Sequence, residues 1–157
     1  MIDMLNLELF TDAAKTATRR STQIAEDYGH LVIEMEHLLL ALFEQKDGMV
    51  QQVLTQLAID RYALVQGTVH LAETYPRVQA AARKQTFLAP RLRNLLQVAH
   101  QEAQRLGDKF ISTEHLFLAM FADRDNPLVG FLQTCGLSHD RVYQEIEQMR
   151  KAALPPQ

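Results

Sequence analysis

From Leu92 onward the apolar positions fall at Leu92, Leu95, Leu96, Ala99, Ala103 and Leu106. These steps of three and four predict one stripe of an amphipathic helix. Pro90 stands where a first helical turn tolerates a missing N–H, and Gly107 suits a left-handed C-terminal cap. Ser112 or Thr113 offers an N-cap for a second helix through Leu116, Phe117, Ala119 and Met120. Asn126-Pro127 begins a short third helix ending near Cys135, with Gly136 as its stop. Ser138 opens a fourth, carrying Val142, Ile146 and Met149. The first half of the chain gives the same series, with helices predicted near 11–28, 35–46, 49–57 and 60–74 and Asp60 capping the last. No stretch reads convincingly as a strand. The expectation is an all-α fold of eight short helices.

The two series are copies of one unit. Displaced by 78 residues, positions 10–59 align with 88–137 without a gap, and about a dozen identities appear. They include Ala25/Ala103, Gly29/Gly107, Ile33/Ile111, Leu40/Leu118, Phe43/Phe121 and Leu54/Leu132. The densest match sets Glu36-His37-Leu38 against Glu114-His115-Leu116. The chain therefore divides into a domain over 1–150, with repeat one at about 10–74, a polar linker at about 75–87 and repeat two at about 88–150. Residues 151–157, ending Leu154-Pro155-Pro156-Gln157, read as the start of an extended tether, since paired prolines cannot continue a helix.

A four-helix unit of this size buries too little surface alone. Two units around a pseudo-two-fold axis share one core, which places Leu38, Leu40, Leu54, Leu116, Leu118 and Leu132 inside. The seam between them is expected to form an apolar groove of the kind that captures peptides. Glu36 and Glu114 recur in the first turn of a helix, where an acid complements the helix dipole or meets a cationic group on a partner. His37 and His115 recur beside them and read as hydrogen-bonding structural residues; no His-x-x-x-His or Cys-x-x-Cys spacing indicates a metal.

Composition narrows the function. Apolar residues make up 47% and charged residues 22%, a globular balance. A formal charge of -3 with no basic stripe argues against nucleic acid. No apolar run reaches the roughly 20 residues of a membrane span. The start, Met1-Ile2-Asp3-Met4, lacks a secretory signal, and the single Cys135 precludes an intrachain disulfide, so the expected compartment is the cytoplasm. Cys135 aligns with Leu57 and is expected to be a small core residue. No glycine precedes Lys-Ser or Lys-Thr as in a phosphate loop, and Gly-x-Ser-x-Gly is absent. The expectation is a protein-binding module, with no catalytic residue, cofactor or metal site.

The repeats carry a resemblance. Gly107-Asp108-Lys109-Phe110-Ile111-Ser112-Thr113-Glu114-His115-Leu116, and more loosely Gly29-His30-Leu31-Val32-Ile33-Glu34-Met35-Glu36-His37-Leu38, are similar to the signature of Clp N-terminal domains. The resemblance extends over about 8–150 and implies two four-helix Clp repeats. It implies a domain tethered above the AAA+ ring of a ClpB- or ClpC-like unfoldase or disaggregase. Such a domain binds unfolded or aggregated polypeptides or adaptor proteins and delivers them to the ring. A free-standing adaptor or regulator without its own ATPase is the alternative. By the resemblance, Asp108 and Glu114 match client-binding positions, and Leu92 and Leu95 lie on the helix bordering the groove. Thr113-Glu114 keeps a pair that holds phosphorylated arginine in ClpC-like domains. At the first copy of that site, beside Glu36, Met35 replaces the threonine and Glu34 adds negative charge, which disfavours a phosphate.

Overall fold

The computed structural model describes residues 7–79 and 85–153. Of the expected tether at 151–157, residues 151–153 instead continue the last helix, and 154–157 lie outside the described residues, as do the extreme N-terminus and the middle of the linker. A 3-10 turn at Leu7–Leu9 leads into α1 (Asp12–Asp27), β1 (Val32–Ile33), α2 (Met35–Phe43), α3 (Met49–Gln56) and α4 (Arg61–Ala72). The second repeat supplies β2 (Phe87–Leu88), α5 (Pro90–Arg105), α6 (Thr113–Met120), α7 (Pro127–Thr134) and α8 (His139–Ala153). Eight helices in the expected places form two four-helix halves.

The helix ends follow the sequence signals. Thr11 accepts the Ala14 amide, Asp60 the Ala63 amide and Ser138 the Arg141 amide, so an oxygen on the capping residue satisfies a donor that the first turn leaves free. Asp60 and Ser138 are 78 residues apart, so the repeat register persists into the last helix of each half. Gly29 and Gly107 adopt φ of 77° and 75° after α1 and α5, a conformation a side chain resists. Helix α2 ends at Phe43, earlier than the predicted 46.

The chain also holds strands that the sequence reading did not place. β1 and β2 pair in parallel, Val32 opposite Phe87 and Ile33 opposite Leu88. A single parallel bridge joins Phe10 to Ile111. Adding 78 to Phe10 and Ile33 gives Leu88 and Ile111, so the two pairings are the same contact made twice. The Ala89 amide donates to the Ile33 carbonyl at 3.0 Å, and the Thr11 amide to the Ile111 carbonyl at 2.9 Å. Each repeat thus sends the segment ahead of its first helix across to the other. Two-residue strands are too short to leave a period-two pattern, which is why the sequence concealed them.

Helices α2 and α6 form the centre. Every residue from Met35 to Phe43 and from Thr113 to Met120 is buried, as expected for helices apolar on all sides. They touch each other, and α6 also meets α1, α3, α5 and α8. Helix α3 packs on α8 and α4 on α7, the matching cross-contacts of the other ends. Leu38, Leu54, Leu116, Leu118 and Leu132 are at most 1% exposed and Leu40 is 9% exposed. Cys135 is half-buried against the core edge beside α7, and burial pushes its thiol pKa up.

Candidate functional site

The signature of repeat two is a turn closed by its own side chains. After α5, the Asp108 amide donates to the Ala103 carbonyl at 2.8 Å, fixing the turn through Gly107. Ser112 then caps α6. Its amide donates to His115 Nδ1 at 2.8 Å, so that nitrogen is unprotonated and Nε2 carries the proton. Nε2 donates to Asp108 Oδ2 at 2.6 Å. Ser112 Oγ donates to Glu114 Oε1. From the last turn of α8, Arg150 reaches Asp108 at 2.9 and 2.7 Å and Glu114 Oε2 at 3.2 Å. Partial burial works to raise the Asp108 pKa, but the hydrogen bonds from Arg150 and His115 outweigh it and hold the carboxyl below its ordinary range.

Repeat one has the same scaffold with different chemistry. His37 Nδ1 accepts the Glu34 amide at 2.8 Å, repeating the cap. Its Nε2 faces His30 Nδ1 at 2.8 Å, because His30 stands where Asp108 stands in repeat two. Among the described residues no guanidinium hydrogen-bonds Glu36; the Tyr75 hydroxyl donates to it, at 3.0 and 3.2 Å. Burial raises the Glu36 pKa, against hydrogen bonding from its own backbone and Tyr75. Burial and the neighbouring Glu36 raise Glu34. Burial, then His30, lowers His37 to about 4.

Of the six side chains singled out from sequence, Asp108 and Glu114 come together under Arg150. Thr113 is buried at the start of α6, and Glu36 is buried in the other repeat. Leu92 and Leu95 lie in the core at 2% exposure each. Asp108 alone of these keeps appreciable surface, with 27% of its side chain exposed. The seam expected to be open is packed: Leu38, Leu42, Leu116 and Phe117 are at most 1% exposed.

An apolar groove lies instead within repeat one, between α1, α2 and α4. It has a volume of about 310 Å³, with Ile24, Leu40, Phe43, Val65 and Val69 as its apolar surface. Arg20 and Glu44 form its charged rim, paired by two hydrogen bonds of 2.7 and 3.1 Å. Arg61 closes one end by donating to the Phe43 carbonyl at 2.6 Å. Repeat two carries a related groove between α5, the turn after α6, Gln133 of α7 and the start of α8, about 630 Å³ in volume and polar. There Glu102 replaces Ile24 and His139 replaces Arg61. Sequence reasoning missed Arg150, Tyr75 and both grooves, although the alignment of Ile24 with Glu102 already showed a charge at a position the other copy keeps apolar. Among the described residues, no cluster of three or more His, Cys, Asp or Glu could hold a metal ion, and no helix is long and apolar enough to cross a membrane.

Comparison with known proteins adds to this geometry. The family model of the Clp repeat (R) N-terminal domain matches residues 9–135. The chaperone protein ClpB of Bdellovibrio bacteriovorus is 32% identical over 123 residues, 78% of this chain but 14% of that protein. The chain thus spans about one-seventh of the length of such a relative. The Hsp104 N-terminal domain from Candida albicans superposes with a TM-score of 0.77 at 16% identity, covering 90% of this chain and 91% of that one. A ClpV N-domain solved in complex with a VipB peptide has a TM-score of 0.69 at 20% identity, covering 82% and 80%.

Proposed function

Because the chain belongs to the Clp repeat N-terminal domain family, we propose that it is the recognition module of a cytoplasmic Clp-type AAA+ unfoldase or disaggregase. Clp N domains are the non-catalytic part of Clp ATPases, and this chain binds polypeptide segments without transforming them. Its partners are unfolded or aggregated proteins and adaptors, which it hands to the ATPase ring of the parent protein. The observation that carries this reading is the groove of repeat one: a strip of Ile24, Leu40, Phe43, Val65 and Val69 between charged edges. Apolar floor and polar rim are what a short amphipathic segment needs in order to bury one face and keep the other wet. The peptide complex of a ClpV N-domain with the same fold supports a peptide-binding role. Asp108, with its exposed edge, is the acidic position that meets a basic client residue; Glu114 joins it only once Arg150 moves aside.

One segment in a shallow groove retains little free energy after ordering costs, so single-site affinity is micromolar or poorer, roughly -8 kcal/mol at best. Several copies on one ring would compensate through effective concentration. The test is binding of a fluorescent amphipathic peptide to the wild-type chain and to Val65→Asp/Val69→Asp, with circular dichroism as the folding control. Both valines are partly exposed, so the helix survives the change. A loss of about tenfold or more is expected; equal affinity in a folded variant would remove the groove from the function.

A further inference from the structure

The groove of repeat two poses a chemical problem that the groove of repeat one does not. Glu102 sits in its wall with only 7% of the side chain exposed. Its Oε1 accepts from His139 Nε2 at 2.9 Å and from Arg105 at 3.3 Å. Its Oε2 is buried and has no hydrogen-bond donor among the described residues. A buried carboxylate oxygen without a donor is a cost the fold has no need to bear, because Ile24 fills the same place in the other copy. The apolar solution is available in this very architecture, and repeat two does not use it.

We propose that the groove between α5, the turn after α6 and the start of α8 is a recognition site for a single arginine side chain on a bound polypeptide, whose guanidinium draws the Glu102 carboxylate out of its buried rotamer and donates to it. A guanidinium offers paired N–H donors to carboxylate oxygens. Asp140, on the same cavity with 92% of its side chain exposed, supplies a second carboxylate at the mouth. The cations already present do not fill this role. Arg105 is committed to Oε1 and lies over the Tyr143 ring at 5.6 Å. Arg124, in the turn after α6, also lines the groove and repels a second basic residue, so the site selects an isolated arginine over a polybasic run. The domain then carries one groove for an apolar segment and one for a cationic residue, related by the pseudo-two-fold axis. This inference rests on the reading of the chain as a segment-binding module.

The test is a titration of the full 157-residue, ¹⁵N-labelled chain with acetylated, amidated Gly-Ser-Arg-Ser-Gly, followed by amide shifts. The controls are the citrulline peptide, of the same shape without the charge, and the glutamate peptide. Saturable shifts at Glu102, His139 and Asp140 are expected with arginine, about tenfold or more weaker with citrulline. They should vanish in Glu102→Gln and in Glu102→Ile, the residue of the other repeat. Equal binding of citrulline, unchanged binding by a folded Glu102→Gln chain, or saturation of the same amides by the glutamate peptide would each overturn the proposal. The arginine–citrulline comparison is made on the wild-type protein, so it decides even if a variant fails to fold. An amphipathic peptide titrated into the same samples reports on the groove of repeat one at Val65 and Val69. Its shifts persisting while arginine fails would sink this site alone, and the reverse outcome would sink the apolar-groove reading alone.

Discussion

At the start of α2, His37 uses Nδ1 to hold the Glu34 amide and turns its other nitrogen towards His30. Burial beside a second imidazole keeps it neutral, with a pKa near 4 against an ordinary 6.5. Below about 6.5 the unfolded chain takes up a proton that the folded chain refuses. This contribution to stability is therefore full above 6.5 and is lost as pH falls towards 4, amounting to about 2–3 kcal/mol. Glu36 and Glu34 run the other way, because their raised pKa values cost stability as pH rises through the carboxylate range. Urea unfolding at pH 7, 5.5 and 4 should show a smaller acid loss in His37→Gln than in wild type; parallel curves would mean that His37 is not the group titrating. In repeat two the shifted group is the ion-paired Asp108, whose depressed pKa stabilises the fold above its ordinary 3.8 and loses that effect as pH falls through the folded value. Arg150→Gln should let the Asp108 pKa rise, read by carboxyl NMR, and cost about 1–3 kcal/mol because two carboxylates lose a charged donor. Histidine as a structural residue was legible in the sequence; the partners of its neighbouring acids were not, since Arg150 arrives from the last turn of α8 and Tyr75 from the turn after α4.

Helix ends record the duplication more faithfully than helix faces. Position 136 is glycine at φ 95°, while its copy, Ala58, adopts φ 54° with a side chain that disfavours it. Ala58→Gly should therefore raise stability by about 0.5–1 kcal/mol, since relief of the left-handed strain exceeds the added entropy of the unfolded chain. Gly136→Ala should lower it by a similar amount, and thermal melts of the pair would check both signs. Helices α4 and α7 cross closely at Gly67, where an added Cβ would lie 1.9 Å from the Phe131 ring. Gly67→Ala gains helix propensity but must push the ring aside, so a net loss of about 1–3 kcal/mol is expected in the same melts. A mid-helix glycine in the sequence gave no hint of this neighbour.

The halves exchange segments, which predicts that the whole molecule folds as one unit. The pairings of Ile33 with Leu88 and of Phe10 with Ile111 each need both repeats, and α2 buries its full circumference only with α6 present. A chain limited to residues 7–79 should lack stable helical circular dichroism, whereas the intact chain should melt in a single transition. Leu118→Ala, at a site with no exposure, should cost about 2–5 kcal/mol and shift that one transition without splitting it. A folded half, or two separated transitions, would show that each repeat carries its own core.

The sequence by itself determined the helices, their caps, the left-handed glycines and the duplication, because these depend on residues within a few positions of one another or on a fixed displacement along the chain. Through the family resemblance it also singled out Asp108 and Glu114. Tertiary structure alone decided that Arg150 covers that acidic pair, that Leu92 and Leu95 are core, and that the seam is closed while an apolar groove opens within repeat one. It also decided that the wall of the other groove buries one Glu102 oxygen with no donor among the described residues. Burial and pairing across tens of residues depend on how two helical units dock, and a periodicity of three and four fixes which face is apolar without saying what will cover it.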